Sequence, residues 1–399
     1  MNPFILKIFS PIRYFINDSR AVGILLIICT ILSITFTNVS FGDSYHNFWM
    51  NEIHVMESLH LPGNCLEWIN NFLMGIFFLM AGTEIKRELV EGELSSFKKA
   101  VLPFGAAIGG MLVPALIFVS FNIQTEFLRG WGVPTATDIA FSLGVASLLG
   151  KRVPLNLKIL LMALAIIDDL GAILVIAFFY GGIIHWMYLA IAGILFAVLL
   201  LLNYFKVTFG ALQIILGLVL WYVILQSGIE ASISGVLFAF AIPVHKLVAV
   251  EKAIHNVVNF LILPLFALAN TSIFLPSNPS VALTSTLALG IMAGLVIGKP
   301  LGIFFMSYIL VSLNMAALPT NIKWKQILGM GTLAGIGFTM SIFTTMLAFG
   351  GEENRDIAKI AILVSVTLSG VGSIIYFSGK ISEPFKQPAK IKQLDFKPA

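Results

Sequence analysis

The feature that most constrains this chain is a succession of apolar segments long enough to cross a lipid bilayer. About twelve such segments follow one another without an intervening soluble domain, each near the ~20 residues that a spanning helix needs. The predicted segments are residues 21–38, 66–83, 101–120, 126–148, 156–179, 184–202, 209–225, 228–243, 255–274, 285–312, 326–349 and 357–378. Because lipid offers no hydrogen bonds to the backbone, each segment is expected to be an α-helix. The sequence therefore predicts an all-α polytopic membrane protein with one transmembrane domain, residues 1–379.

The composition excludes several other classes of protein. Of the residues, 58% are hydrophobic and only 11% are charged, and a net charge of +4 is no signal for nucleic-acid binding. Two cysteines, Cys29 and Cys65, exclude a disulfide framework and a cysteine-based metal site. The first apolar run follows basic residues and resembles a signal peptide, but no small-residue cleavage site follows it, so we interpret it as the first span.

The basic residues predict the orientation. If the N-terminus lies inside, the outer segments contain only Arg129, Arg355 and Lys359, Lys299 lies within a span, and every other Lys and Arg of the 24 falls in an inner segment. Such a bias is typical of cytoplasmic loops. Both termini are therefore expected in the cytoplasm, with residues 380–399 as a flexible tail near anionic lipid.

The first outer segment, residues 38–64, is the longest. Its alternating residues 48–55 predict a short hairpin that could serve as a dimer contact. His46, His54 and His60 lie there without metal-ligand spacing, so we interpret them as ordinary loop residues.

Two acidic residues, Asp168 and Asp169, stand side by side in the middle of the fifth apolar segment. A charge at the bilayer centre costs ~2.5–3.5 kcal/mol on insertion scales, and adjacent carboxylates oppose each other's ionisation. Neighbouring residues of a helix point about 100° apart, so one acid can face Lys299 while the other faces the ion path. The pair predicts a site where a proton and a hard cation compete; the alternative is a structural pair satisfied by neighbouring helices.

Two segments are interrupted by helix-breaking residues. The fourth contains Pro134 just before Asp138, and the eleventh has four glycines among residues 329–337. Interrupted segments in the two halves of a transporter point to its binding site, although glycines also permit tight helix packing. Half-helix ends have partial charges near ±0.5, which Asp138 could neutralise. In the tenth segment, Lys299 at membrane depth needs a carboxylate partner.

Several motifs together resemble the NhaA-type sodium/proton antiporters of bacterial inner membranes. They are AGTEIKREL (81–89), TATDIAF (135–141), AIIDDLGAI (165–173), LILPLFALAN (261–270), GKPLGI (298–303) and GIGFTMSIF (335–343). The resemblance runs in order over nearly all the spans. Interrupted spans are themselves a known feature of these transporters, so the interruptions and the resemblance are not independent observations.

The resemblance implies twelve helices with inverted repeats, whose broken fourth and eleventh helices cross at mid-membrane. It implies that Asp168 and Asp169 bind Na⁺ and protons, and that Lys299 pairs with Asp168. It also implies that Asp138 and Lys299 offset the helix dipoles at the crossing, with Thr137 nearby.

The resemblance further implies a set of pH-regulation residues. Glu84, Arg87 and Glu251 match family positions on the cytoplasmic side. Where the family usually has a histidine this chain has Glu230, and Lys252 follows Glu251 in place of a histidine, although His255 comes soon after. An unperturbed imidazole titrates near pH ~6.5 and an unperturbed carboxylate near pH ~4, so the resemblance does not fix the pH window of activation of this chain.

The implied function is secondary active transport rather than catalysis: electrogenic, pH-regulated exchange of cytoplasmic Na⁺ or Li⁺ for external protons. No cofactor is expected. The expected partners are the transported ions, membrane lipid and a second copy in a homodimer within the bacterial inner membrane. The second proton could come from the other aspartate or from Lys299, and the sequence does not choose between them.

Other functions fit the sequence less well. A proton-coupled carrier of a small organic substrate is the main alternative, but only small groups and hydroxyls surround the aspartates in the sequence. A channel would show a pore-loop or charged-ring pattern. A membrane aspartyl protease would need a GxGD motif, and a prenyl-binding DDxxD motif fails because position 172 is alanine.

Overall fold

The computed structural model describes residues 19–53, 60–276 and 278–379, and those ranges contain helices and connecting segments without a strand. We number the helices α1 (Ser19–Thr37), α2 (Gly42–Met50), α3 (Cys65–Val90), α4 (Phe97–Asn122), α5 (Ile139–Leu148), α6 (Leu155–Phe179), α7 (Trp186–Tyr204), α8 (Ala211–Ser227), α9 (Ile233–Ala241), α10 (Val244–Asn270), α11 (Pro279–Thr284), α12 (Thr286–Ser312), α13 (Trp324–Ala334), α14 (Phe338–Ala348) and α15 (Glu352–Ser378). Single π-helical turns interrupt α3, α10 and α12.

The predicted multi-pass, all-helical architecture is confirmed. Within the described ranges, eight helices are long and apolar enough to cross a membrane: α1, α3, α4, α6, α7, α10, α12 and α15. A ninth candidate is the pair α13 and α14, which bends by 50° at its break. The apolar helices α5 and α8 are shorter, and the predicted eighth segment contains only the nine-residue helix α9.

Three helices extend beyond their apolar stretches into charged sequence. Helix α3 continues to Val90, α10 begins at Val244, and α15 begins at Glu352. Lys, Arg and Glu are good helix formers, so the backbone hydrogen bonds continue past the apolar residues. As a result Arg355 and Lys359, predicted for an outer segment, lie in the first turns of α15.

The predicted hairpin at residues 48–55 is wrong where the structure describes it. Residues 48–50 end helix α2 instead, with Asp43 in the first turn, where a negative charge favours a helix. The rings of Tyr45 and Trp49 meet edge to face at 6.0 Å, so these aromatic residues follow helical spacing rather than strand alternation. Residues 54 and 55 lie outside the described residues, as do Lys7, Arg13 and the predicted tail 380–399.

Helix α6 lies at the centre of the bundle, and α12 approaches it through close packing with α4. In an apolar 18-residue stretch of α6, 67% of the residues are buried inside the protein, against 11% in the corresponding stretch of α7. A Cβ atom at Gly302 of α12 would lie 2.1 Å from the carbonyl oxygen of Gly109 in α4. Only glycine permits this contact, which brings α12 and its Lys299 towards α6.

Candidate ion-binding site

The two interrupted spans meet at their breaks. The fourth begins as a 3₁₀ segment, Glu126–Thr135, and continues as α5, while the eleventh consists of α13 and α14. The backbone N–H of Asp138 donates to the carbonyl oxygen of Ile336 at 2.8 Å. A Cβ atom at Gly337 would lie 2.5 Å from the carbonyl oxygen of Ala136, so glycine is needed for the crossing.

The side chain of Asp138 contacts the amino ends of both half-helices. Its Oδ1 accepts from the backbone N–H of Phe141 at 3.1 Å, as the N-cap of α5. Its Oδ2 accepts from the backbone N–H of Thr339 at 3.1 Å and from the Thr339 hydroxyl at 2.8 Å, in the first turn of α14. One buried carboxylate therefore faces two sets of N–H groups with partial positive charge.

Lys299 faces Asp168 inside the bundle. Its Nζ lies 2.7 Å from Asp168 Oδ2, and neither side chain is exposed (0% each). The same ammonium donates to the carbonyl oxygen of Thr135, the last residue of the 3₁₀ segment. The positive charge of the lysine thus compensates the negative charge of a buried carboxylate. It also compensates the partial negative charge of a carbonyl oxygen at the break of the fourth span.

Thr137 completes the surroundings of Asp168. Its hydroxyl lies 2.7 Å from Asp168 Oδ2 and 2.9 Å from the carbonyl oxygen of Ala334, at the end of α13, so its single proton is shared between two acceptors. Asp168 Oδ1 has no hydrogen-bond partner among the described residues.

Asp169 has different surroundings from Asp168. It lines a cavity of about 240 Å³ whose wall also includes Asp138, Thr339 and Glu84, whereas Asp168 is not part of that wall. Asp169 is 4% exposed and its Oδ1 has no partner in the described part of the chain. Because adjacent helix residues point ~100° apart, the carboxylate of Asp168 faces Lys299 whereas that of Asp169 faces the cavity.

The predicted regulatory residues Glu84, Arg87, Glu251 and His255 lie together where this cavity reaches the surface. Glu84, Glu251 and His255 line the cavity, and His255 is exposed. Arg87 Nη1 lies 3.3 Å from Glu251 Oε2 in an ion pair without hydrogen-bond geometry. The two side chains are 30% and 21% exposed, so this pair is partly in contact with solvent.

Glu230 is not brought to this group. It lies between α8 and α9 and does not line the cavity. Glu230 comes just before the amino end of α9. Lys86, which is close to Glu84 in α3, contacts residues at the carboxyl end of α9. The predicted role of Glu230 in pH regulation would therefore have to act over the length of α9.

Two residues that support the broken spans were missed in the sequence. Arg355 donates to the carbonyl oxygens of Phe349 at 2.6 Å and Met346 at 3.1 Å, at the carboxyl end of α14. A basic residue shortly after a helix end is a recognisable capping signal, but the helix end itself was not visible among the apolar residues.

Tyr180, just beyond α6, is the second. Its hydroxyl accepts from the backbone N–H of Gly132 at 3.0 Å and donates to the carbonyl oxygen of Arg129 at 2.8 Å. Burial raises the pKa of Tyr180 to about 12, so the phenol keeps the proton that it donates. No local sequence signal identifies this contact, because it joins residues about fifty positions apart.

Comparison with known proteins places the chain in a family. The sequence model of the family described as Na⁺/H⁺ antiporter 1 matches residues 13–377. The chain is 47% identical to a Na⁺/H⁺ antiporter NhaA of Flavobacterium psychrophilum, over 94% of this chain and 97% of that protein. It is 45% identical to the NhaA of Cytophaga hutchinsonii, over 95% and 98% of the two chains.

A relative from Klebsiella pneumoniae gives the same result. The chain is 45% identical to the Na⁺/H⁺ antiporter NhaA 1 of Klebsiella pneumoniae, over 93% of this chain and 96% of that protein. Similarity at this level covers all the helices that form the crossing and the cavity. The chain therefore belongs to the Na⁺/H⁺ antiporter 1 family, whose members are secondary transporters and not enzymes.

Proposed function

We propose that this antiporter exchanges cytoplasmic Na⁺ or Li⁺ for external protons, and that the two compete for the carboxylate of Asp169. The observation that supports this most is the difference between the two adjacent acids. Asp168 is bound by Lys299 and Thr137, whereas Asp169 faces the cavity with a free Oδ1 in the described structure. Hard cations prefer oxygen ligands, and a carboxylate provides them.

Exchange follows from competition at one site. A proton on Asp169 leaves when a cation enters the cavity, since both need the same carboxylate oxygens. The loaded site then opens to the other side of the membrane, where a proton displaces the cation. Because an empty, charged carboxylate is costly at membrane depth, the site is always occupied by one of the two ions during the transition, and exchange results rather than leakage.

Electrogenic exchange needs a second proton for each cation. The second proton comes either from Asp168 or from Lys299 when its ion pair with Asp168 breaks. In either case the buried pair of α6 and α12 changes its charge during the cycle. The breaking of this pair is then coupled to transport rather than being purely structural.

The residues at the cavity mouth are proposed to regulate this exchange by pH. Glu84, Glu251 and His255 line the cavity that contains Asp169, and Arg87 pairs with Glu251. A change in the charge of this group therefore changes the electrostatic attraction of the cavity for cations. Glu230 is proposed to modulate the same response from a distance.

The location and assembly of the protein are also part of the proposal. The inward bias of basic residues supports a bacterial inner-membrane protein with both termini in the cytoplasm. A homodimer surrounded by lipid and the absence of a cofactor are expected from the family. The comparisons give no support to a carrier of an organic substrate.

The test uses inside-out membrane vesicles from cells without their own antiporters. Respiration makes the vesicle interior acidic, and a pH-sensitive dye reports proton exit when NaCl, LiCl or KCl is added at pH 6 to 9. We expect rapid dequenching with Na⁺ and Li⁺, and a faster response when a membrane potential is imposed. No response to any cation, with the protein present in the membrane, would contradict the proposed function.

A further inference from the structure

Lys86 joins α3 to the turn between α9 and α10. Its Nζ donates to the carbonyl oxygens of Phe240 at 2.7 Å and Ile242 at 2.5 Å. Helix α9 ends at Ala241, and the last carbonyls of a helix have no partner within the helix itself. A charged donor therefore satisfies two carbonyls that would otherwise lack a partner in this turn.

This turn, which we call the elbow, consists of Ile242 and Pro243. Both residues have extended ψ angles, 135° and 139°, so the chain changes direction there before α10 begins at Val244. Ile242 is fully buried (0% exposed). The position of the elbow therefore determines where the first turns of α10 lie.

Helix α10 contributes two residues to the cavity mouth. Glu251 lies seven positions after Val244, the first residue of α10, which is about 10.5 Å along a helix at ~1.5 Å per residue, and His255 follows one turn later. Both line the cavity that leads to Asp169. A shift of the elbow would thus be transmitted along a rigid helix to the entrance of the cation path.

Arg87, the neighbour of Lys86, makes a different contact with the same helix. It pairs with Glu251 at 3.3 Å, and both side chains are partly exposed. Partly exposed ion pairs contribute little to stability, and this one depends on the charge of a carboxylate. The acceptors of Lys86 are neutral backbone carbonyls, so the Lys86 contact does not depend on that charge.

We infer that Lys86 is a positioning residue for transport: it holds the elbow so that Glu251 and His255 border the cavity, and it thereby sets the apparent affinity for Na⁺. This inference rests on the proposed Na⁺/H⁺ exchange. Lys86 does not line the cavity, so its effect passes through α10 rather than through contact with the ion.

The test compares Lys86→Met with Lys246→Met in proteoliposomes of identical lipid composition. Lys246 is exposed in the first turns of α10, so its variant removes a nearby positive charge without releasing the elbow. We expect the Na⁺ concentration for half-maximal exchange to rise at least about fivefold in Lys86→Met, with the maximal rate within about twofold of the unmodified protein. Lys246→Met should change neither value. Lys86→Arg, which keeps a charged donor, should restore most of the affinity.

Other outcomes would overturn the inference. An unchanged half-maximal concentration in Lys86→Met, or a lower maximal rate at constant affinity, would make Lys86 a structural residue only. If Lys86→Met does not accumulate in the membrane, Lys86→Gln, which is shorter by one atom, must show the affinity loss instead. Absence of exchange in the unmodified protein would reject the proposed function itself. Normal exchange in the unmodified protein, together with the same half-maximal Na⁺ concentration in the Lys86 variants, would reject only the inference.

Discussion

Asp168 and Asp169 are adjacent in α6, but they lie on different faces of the helix and have different surroundings. On one face Asp168 is fully enclosed and its Oδ2 contacts Lys299 and Thr137. On the other face Asp169 lines a cavity that reaches the surface. On the enclosed face, the carboxylate of Asp168 is held by its partners. On the cavity face, the carboxylate of Asp169 is accessible from the cavity. Adjacent acids can therefore have different surroundings, one enclosed by an ion pair and the other lining a cavity, without any distance between them along the chain.

The largest expected effect is on the cavity face. Asp169→Asn keeps the size of the side chain but removes the charge that attracts a cation, so exchange should fall by at least about 100-fold in the vesicle assay. Because Asp169 Oδ1 has no partner in the described structure, the melting temperature should stay the same or rise. A near-normal exchange rate in this variant would remove the distinction between the two faces.

The enclosed face should respond mainly in stability. Lys299→Met leaves Asp168 as an unpaired buried carboxylate, and removing one partner of a buried pair costs about 3–5 kcal/mol. The melting temperature should therefore fall, and the double variant Asp168→Asn/Lys299→Met should recover most of the loss because no charge remains. Equal melting temperatures for the unmodified protein and Lys299→Met would contradict the role of the pair.

The crossing of the broken spans should show an intermediate effect. Asp138→Asn removes the negative charge that compensates two helix ends, and Thr339→Val removes one hydrogen bond of about 1 kcal/mol. We expect Asp138→Asn to destabilise the protein more than Thr339→Val, and to slow exchange by about tenfold or less. Thermal unfolding in detergent and transport in vesicles measure the two effects, and a reversed order would argue against double capping by Asp138.

The smallest effect on stability is expected at the cavity mouth. Glu251→Gln removes the ion pair with Arg87, and partly exposed pairs contribute about 0–1 kcal/mol. The variant should unfold at nearly the same temperature, but its rate should vary less with pH because the carboxyl group at the mouth is replaced by an amide that does not ionise. Arg87→Gln serves as the matched control for loss of the pair with the carboxylate retained. An unchanged pH profile in Glu251→Gln would exclude Glu251 from regulation.

Features that depend on local sequence could be predicted. Apolar segments, the two interruptions and the different directions of Asp168 and Asp169 follow from helix geometry and from the cost of polar groups in lipid. The alternation of residues 48–55 wrongly predicts a hairpin, because helix α2 is favoured by ring packing between Tyr45 and Trp49, four residues apart, and Tyr45 lies outside the alternating stretch.

Features that depend on the meeting of distant segments could not. Lys86 contacts carbonyls more than 150 positions away, and the isolation of Glu230 from the cavity mouth depends on the direction of α9. Any residue can supply a backbone carbonyl, so the residue types in the sequence do not identify the acceptors of Lys86 and Tyr180.

Competition between Na⁺ and protons at Asp169 is tested most directly by proton release from the purified protein. NaCl or LiCl is added to the protein in weakly buffered detergent solution near pH 7, and the change in pH is followed with a dye. The unmodified protein should acidify the solution as the cation displaces a proton, and Asp169→Asn should release none. Equal proton release from Asp169→Asn and the unmodified protein would show that another group is the site of competition.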